Sequence, residues 1–272
     1  MWQQDFDAST LRSRSAFVER YTNGRCRETG QILQRSLSAL TAVDIAENYG
    51  TYVAIHAYTD RSYQQAIDAG VRSFEHGFLV SEDSVKQLAA KGEDVVWSFQ
   101  CYMSVNSFGS YETMPDFFTH EQKLKGVAVG EGARKAATMM RENGVFIIGG
   151  ADMFGQGIQE KAKEDLVCQV EQAGFTPAEA LKHYTGNAGK VLKWHGPLDP
   201  YPTYALGTIA PDSYADILLW DANPLEDIRV ILDEDNLQLI MKDGRAFKNT
   251  LVDADSIMYR PVPRNPTINS YQ

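Results

Sequence analysis

Residues 70–79, GVRSFEHGFL, decide the fold, because a short apolar run in this stretch ends in Glu75, His76 and Gly77. Polar groups at the C-terminal end of a buried strand are costly to hide without partners. In α/β barrels, however, the chemistry is placed at that end of each strand. The stretch therefore predicts a β-strand that presents His76 at its end, with Gly77 allowing the chain to turn away sharply.

Similar strand patterns occur on both sides of this stretch and alternate with helical patterns. The short β-branched and aromatic runs are TYVAIHAY (51–58), DVVWSFQCY (94–102) and VFIIGG (145–150). Gly70 marks the C-terminal end of one predicted helix between these strands. Capping boxes at 119–122 (THEQ) and 176–179 (TPAE) mark the start of two others. This alternation predicts parallel strands joined by helical crossovers.

The pattern changes after His195, where the chain becomes rich in proline and glycine. The stretches ADILLWD (215–221) and LQLIMKDGRAF (237–247) are typical of antiparallel strands. Asp243-Gly244 within the second stretch predicts a two-residue hairpin turn. We therefore expect a small β region that is separate from the strand–helix units.

Composition excludes several classes of function. The formal net charge is −10, from 26 basic and 36 acidic residues, which argues against nucleic acid as the main partner. No run of about 18 apolar residues exists, so we expect no membrane span. The first ten residues, MWQQDFDAST, do not resemble a signal peptide, and the sequence as it stands favours a cytoplasmic location without establishing a compartment.

The three cysteines, Cys26, Cys101 and Cys168, are odd in number and widely spaced, and are expected to be reduced, partly buried thiols.

Three residues stand at equivalent places in the predicted sheet. His56 ends one strand, His76 ends the next, and Asp152 follows the run VFIIGG. In a parallel sheet these ends lie along one edge, where neighbouring strands are separated by about 4.8 Å. Taken singly, each histidine is more often structural. Taken together, two imidazoles and a carboxylate predict a site for a divalent metal such as zinc.

Several stretches, in order along the chain, resemble the amidohydrolase superfamily, in its imidazolonepropionase-like and metal-dependent Xaa-Pro dipeptidase (prolidase-like) branch. They are VAIHAYTD (53–60), AGVRSFEHGFL (69–79), VFIIGGAD (145–152), TPAEALKHYTGNAGKVL (176–192) and the strands after residue 206. The resemblance covers residues 36 to about 250. It implies an α/β fold, namely strands five to eight of a TIM-type (β/α)8 barrel followed by part of a small β-sandwich. The expected domains are a non-matching leader at 1–35, a partial barrel at 36–200, β-sandwich strands at 201–260 and a tail at 261–272.

The resemblance also implies roles for individual residues. His56 and His76 match the two histidine ligands of the more buried metal. Asp152 matches an aspartate that contacts metal and acts as general base and then as proton donor to the leaving amine. Tyr58, two residues past His56, is a candidate for contacting substrate. Glu75 precedes a ligand and points the other way on its strand. We expect it either to support the ligands from behind or to face solvent, and not to be catalytic.

Two expected motifs of the superfamily are missing. A His-x-His pair should end strand one and a lysine should end strand four, yet no histidine precedes His56 and the first lysine is Lys86. The chain therefore resembles the C-terminal two-thirds of such an enzyme, through truncation, a shifted reading frame or degeneration of a paralogue. We expect at most one metal ion, with zinc favoured, and an impaired activity.

The leading functional hypothesis is a metal-dependent hydrolase of carbon–nitrogen bonds in a small-molecule amide, dipeptide or cyclic amide. A homo-oligomer is compatible with it, whereas nucleic acid and membrane are not expected partners. The alternative is a catalytically inactive fragment or interaction module that needs a partner chain. The remaining histidines are expected outside any site, His120 exposed, His183 at a surface or interface and His195 structural.

Overall fold

A computed structural model describes residues 29–153 and 159–251, so most of the expected leader and the whole of the expected tail lie outside the described residues. The first part contains α1 (Thr29–Asn48), β1 (Ala54–Thr59), α2 (Asp60–Ala69), β2 (Ser73–Leu79), α3 (Glu82–Ala89), β3 (Val96–Phe99), α4 (His120–Glu142) and β4 (Ile147–Gly149). The second part contains α5 (Ala162–Glu171), α6 (Pro177–Tyr184), α7 (Gly186–Leu192), β5 (Ile217–Trp220), β6 (Leu237–Lys242) and β7 (Arg245–Asn249).

The first four strands form a parallel sheet in the order β1-β2-β3-β4. Its register pairs His56 with Glu75, Glu75 with Ser98, and Ser98 with Ile148. Each crossover between neighbouring strands contains a helix: α2, α3 and α4 in turn. The α/β architecture with parallel strands is confirmed, and because the strands are parallel all four C-terminal ends lie along one edge.

The main hydrophobic core lies between this sheet and its helices. Fully buried side chains include Phe74, Trp97 and Phe99 from the strands and Leu88 from α3. Helix α4 contributes the small buried residues Ala133, Ala136 and Ala137 to the same cluster. Alanine at these positions lets the backbone of α4 approach the sheet closely, which is why a helix of weak amphipathic pattern can cover it.

The helix boundaries that the sequence predicts are confirmed at three places. Gly70 ends α2 in the left-handed conformation with φ 83°. Thr119 and Gln122 form a reciprocal capping box at the start of α4, and Thr176 and Glu179 form another before α6. These caps satisfy amide groups that a helix N-terminus leaves without partners.

The last three strands form a separate antiparallel sheet in the order β5-β6-β7. Asp243 and Gly244 connect β6 to β7 with φ values of 51° and 73°, the positive values that a two-residue hairpin turn of this type needs. The predicted antiparallel β region and its turn are both confirmed. Within the described ranges, no helix is long and apolar enough to cross a membrane.

The expectation for the cysteines is wrong for two of the three. Cys101, just after β3, and Cys168, in α5, form a disulfide with Cα atoms 5.7 Å apart. Their 67-residue separation carries no signal in the sequence, because the two positions meet only when α5 packs against the segment that follows β3. Cys26 lies outside the described residues.

Candidate functional site

Two histidines meet at the C-terminal edge of the parallel sheet. His56 lies in β1 and His76 in the neighbouring β2, and His56 Nδ1 lies 2.6 Å from His76 Nε2. The two rings are stacked, with centroids 4.9 Å apart. His76 is buried, whereas His56 is exposed. The structure therefore brings together the two histidines that the sequence singles out.

The protonation of the pair follows from its surroundings. Burial and the neighbouring charge of His56 lower the pKa of His76 to about 4, so its ring is neutral at pH 7. A neutral imidazole has one nitrogen with a free lone pair, which can accept a hydrogen bond or bind a metal. At 2.6 Å the two rings share a hydrogen bond in this structure.

The two imidazoles fit a divalent metal in the type of donor atom. Two nitrogens of one tetrahedral zinc site lie about 3.3 Å apart, given zinc–nitrogen bonds of about 2.0–2.1 Å. The 2.6 Å separation is shorter, so His56 and His76 must part slightly to share one ion, as the exposed His56 can do. Among residues 29–153 and 159–251, no group of three or more His, Cys, Asp or Glu side chains converges to hold a metal.

Asp152 lies just beyond β4 and is separated from His76 by the width of β3. Its φ is 51°, an unusual conformation for an aspartate. Burial of the carboxylate by the surrounding chain raises its pKa, while the charge of His56 acts in the opposite direction. The electrostatic interaction couples Asp152 to His56, although the aspartate does not complete a three-residue cluster with the two histidines.

Tyr58 contacts the site through its ring. Its aromatic ring stacks on that of His76, with centroids 4.8 Å apart and planes inclined by 12°. The ring of Phe78 contacts both members of this stack edge-on. The stacking limits rotation of the imidazole, so Tyr58 is placed to orient His76.

The sequence interpretation missed the side chains that hold the backbone of His76. The amide of Gln100 accepts a hydrogen bond from His76 N and donates one to Glu75. The indole of Trp97 donates a hydrogen bond of 2.6 Å to the carbonyl oxygen of His76. Gln100 immediately follows β3, so the signal that singled out His76, a polar residue at a strand end, could have found it.

The other histidines differ in their surroundings. His120 is exposed at the start of α4, as expected. His195 contacts Tyr52 edge-on and lies 3.0 Å from the carbonyl oxygen of Leu192, which agrees with a structural role. Of the two positions expected for His183, a surface or an interface, the surface is wrong: the side chain is 6% exposed and is hydrogen-bonded through Nδ1 to Gln169 at 2.8 Å. It points inward because the buried face of α6 packs on α5.

A buried carboxyl group lies in the same region as His183. Asp165 accepts hydrogen bonds from Tyr102 N, at 2.7 Å, and from the hydroxyl of Tyr184. Burial raises the pKa of Asp165 to about 6, and the hydrogen bonds act against that rise. Because Tyr102 follows β3 while Asp165 and Tyr184 belong to α5 and α6, the carboxyl group ties the segment after β3 to these helices.

These features define an α/β scaffold with a histidine pair at the C-terminal edge of its parallel sheet, and comparison identifies the family. Residues 35–247 match the Amidohydrolase family, and the chain belongs to it. The ochratoxinase of Aspergillus niger is 28% identical over 209 residues, which are 76% of this chain and 40% of that protein.

Solved structures agree with this assignment. A prolidase in complex with N-methylphosphonate-L-proline superposes with a TM-score of 0.65 at 27% identity and covers 79% of this chain and 49% of that one. The crystal structure of the A. niger ochratoxinase has a TM-score of 0.69 at 24% identity, over 85% of this chain and 49% of that one, and supports the fold alone. The resemblance to prolidase-like amidohydrolases is confirmed, but the chain spans about half the length of these relatives or less, rather than two-thirds.

Proposed function

We propose that this chain is part of a metal-dependent amidohydrolase that cleaves a carbon–nitrogen bond in a small-molecule amide, dipeptide or cyclic amide. The observation that carries the proposal is the approach of His56 Nδ1 to His76 Nε2 at the edge of the sheet. Family membership supports the same reaction class. The prolidase and ochratoxinase relatives favour a substrate in which an amino acid is joined through an amide bond.

The histidines and the aspartate have different parts in this proposal. His56 and His76 would hold one divalent metal, with zinc favoured, and Asp152 would be its third ligand. A bound metal supplies a Lewis acid that lowers the pKa of water toward about 7. The carboxylate of Asp152 would take a proton from the attacking water, the general-base role that a carboxylate beside the bound water can fill. The same carboxyl group then donates that proton to the leaving amine nitrogen.

The substrate-facing role belongs to Tyr58, whose ring already borders His76. An aromatic ring at this place would pack against the apolar part of an amide substrate and exclude water from the scissile bond. The proposed architecture is strands five to eight of a (β/α)8 barrel at residues 36–200, with β-sandwich strands at 201–260. The parallel and antiparallel sheets support this division, as does the amidohydrolase fold of the relatives.

The test is metal content of the purified chain by elemental analysis, followed by screening of dipeptides and N-acyl amino acids. We expect about one zinc per chain, lost in His56→Ala and in His76→Ala. His120→Ala is the matched control, because His120 is exposed and its ring contacts Tyr111 rather than the pair. Retention of zinc in both site variants, or absence of zinc from the unaltered chain after incubation with it, contradicts the proposal.

A second candidate function is an inactive scaffold that is completed by a partner chain. Two observations favour it. In the described ranges, no third metal donor lies beside the histidine pair. His56 is exposed and belongs to β1, the first strand in the order of the sheet. Sedimentation analysis distinguishes the two. A monomer with amide-hydrolysing turnover rejects the scaffold, whereas turnover that appears only on mixing with a second polypeptide supports it.

The disulfide bears on the compartment. Disulfides persist in oxidising compartments and are rare in the cytosol. The bond between Cys101 and Cys168 therefore favours an oxidising compartment over the cytoplasmic location that the sequence suggests. Thiol labelling of the protein in its native cells tests this, and two free thiols at these positions there would reject it.

A further inference from the structure

The backbone of His76 has an unusual conformation. Its φ is 71°, in the left-handed region that side chains other than glycine rarely adopt, and Gly77 follows with φ 71° as well. The strand β2 continues to Leu79, so His76 does not end it as the sequence predicted. The positive φ values instead interrupt the regular extended backbone within β2, and they affect the direction of the imidazole. A conformation of this kind persists only where neighbouring groups hold it.

Two buried side chains from the β3 segment hold both peptide groups of His76. Gln100 Oε1 accepts a hydrogen bond of 3.2 Å from His76 N. Trp97 Nε1 donates a hydrogen bond of 2.6 Å to His76 O. Gln100 is 3% exposed and Trp97 is fully buried, so water does not replace either partner easily.

The orientation of the Gln100 amide is itself determined by its other contacts. Gln100 Nε2 donates to Glu75 Oε2 and to Ser98 Oγ, each at 3.0 Å. A carboxylate can only accept, so the NH2 group must face Glu75 and the amide oxygen must face His76 N. Glu75 is in turn held by Ser73, whose hydroxyl donates to Oε1 at 2.8 Å. Glu75 therefore acts through Gln100, in the supporting position that was one of the two expected for it.

We propose that Gln100, oriented by Glu75, is the positioning residue that aims the imidazole of His76 at the metal-binding position. The inference rests on the proposed function, in which His76 is a ligand, and goes beyond it by assigning a residue that contacts no ligand. Residues that orient a metal ligand typically change metal affinity by about 10- to 100-fold when replaced. We expect an effect in that range here.

The decisive variants exchange the two polar groups. In Gln100→Glu, a second carboxylate faces Glu75 and repels it. In the double variant Glu75→Gln with Gln100→Glu, the amide at position 75 donates to the carboxylate at position 100, whose other oxygen accepts from His76 N. Gln100→Met removes all three of these side-chain hydrogen bonds with little change in volume. Gln169→Met is the matched control, since Gln169 is a fully buried glutamine that does not contact the histidine pair.

Two measurements report on the placement of the His76 imidazole. The first is the dissociation constant for Co²⁺, followed by visible absorption. The second is the ¹⁵N shift of His76 Nε2 in the metal-free protein, from long-range ¹H–¹⁵N correlation through carbon-bound protons. This shift reports the hydrogen bond with His56 without any metal. Melting temperature records the general loss of stability in every variant.

We expect Gln100→Met and Gln100→Glu to weaken Co²⁺ binding at least tenfold and to shift His76 Nε2 toward the value of a free imidazole. The double variant should recover affinity to within about threefold and restore the shift, while Gln169→Met changes neither. Unchanged affinity and shift in Gln100→Met, or a double variant as defective as Gln100→Glu, overturns the proposal. If the unaltered chain binds no Co²⁺, the proposed function fails, and the ¹⁵N shifts alone decide whether Gln100 positions His76.

Discussion

Replacing Gly77 by alanine tests how closely the backbone of β2 packs against the side chain of Tyr63. Gly77 has φ 71°, and a Cβ added there would lie 1.9 Å from the Tyr63 hydroxyl oxygen and 2.6 Å from Cζ of the same ring. Tyr63 is fully buried, so its ring cannot swing into solvent to make room. The substitution therefore combines a backbone penalty with a steric one.

A matched control separates the backbone penalty from the steric penalty. Gly144 has φ 67°, and a Cβ added there would meet no atom within 4 Å. Gly144→Ala should cost only the left-handed conformation, about 1–2 kcal/mol. Gly77→Ala adds overpacking of a buried ring, about 1–3 kcal/mol, for a total of about 2–5 kcal/mol.

Urea denaturation of the metal-free protein measures both free energies of unfolding. Adding Tyr63→Phe to Gly77→Ala removes the nearest atom and should recover part of the steric penalty, while Cζ still resists the new methyl group. The reasoning is refuted if Gly77→Ala costs no more than Gly144→Ala. It is also refuted if Tyr63→Phe recovers no more stability beside Gly77→Ala than beside Gly144→Ala.

Three further outcomes follow from the structure. Because the disulfide spans 67 residues, replacing Cys101 and Cys168 together by serine should lower the free energy of unfolding by about 4 kcal/mol, measured in urea under non-reducing conditions. Burial raises the pKa of Asp165 from 3.8 to about 6, so the stability linked to its protonated form is complete below about pH 4 and is lost as pH rises through about 6. Asp165→Asn should remove this loss, and parallel stability profiles of the two proteins between pH 4 and 7 would contradict the assignment. Thr176→Ala should cost about 1 kcal/mol by removing the acceptor for Glu179 N, and an unchanged urea midpoint would show that the cap contributes nothing.

Local signals in the sequence were sufficient for several helix boundaries, although β1 and β2 continue past the predicted strand ends at His56 and His76. Gly70 closes α2 because only a residue without a side chain adopts φ 83° cheaply, and Thr176 begins α6 because its hydroxyl satisfies a helix amide. The placement of His56 and His76 at one edge followed from strand order alone, since parallel neighbours end on the same side. Each of these features depends on a few adjacent residues or on a simple periodicity.

The features that escaped prediction depend on residues far apart in the chain. The disulfide joins two cysteines that come close together only when α5 packs in the folded protein. His183 is buried because of the face that α6 turns toward α5, which its own sequence does not specify. Gln100 acts on His76 across 24 positions through one amide group, and hydrogen-bond geometry of that kind has no periodic signature.

The bond between Cys101 and Cys168 closes a covalent ring that contains all of α4 and β4. A protease that cuts once between residues 102 and 167 would leave both pieces attached to each other. The nicked protein would migrate as a single chain on a non-reducing gel and separate into two bands only after thiol treatment. After such a cut, β4, which leads to Asp152, would therefore stay covalently attached to the rest of the protein. In a chain without the disulfide, the same cut would leave the two pieces without a covalent connection.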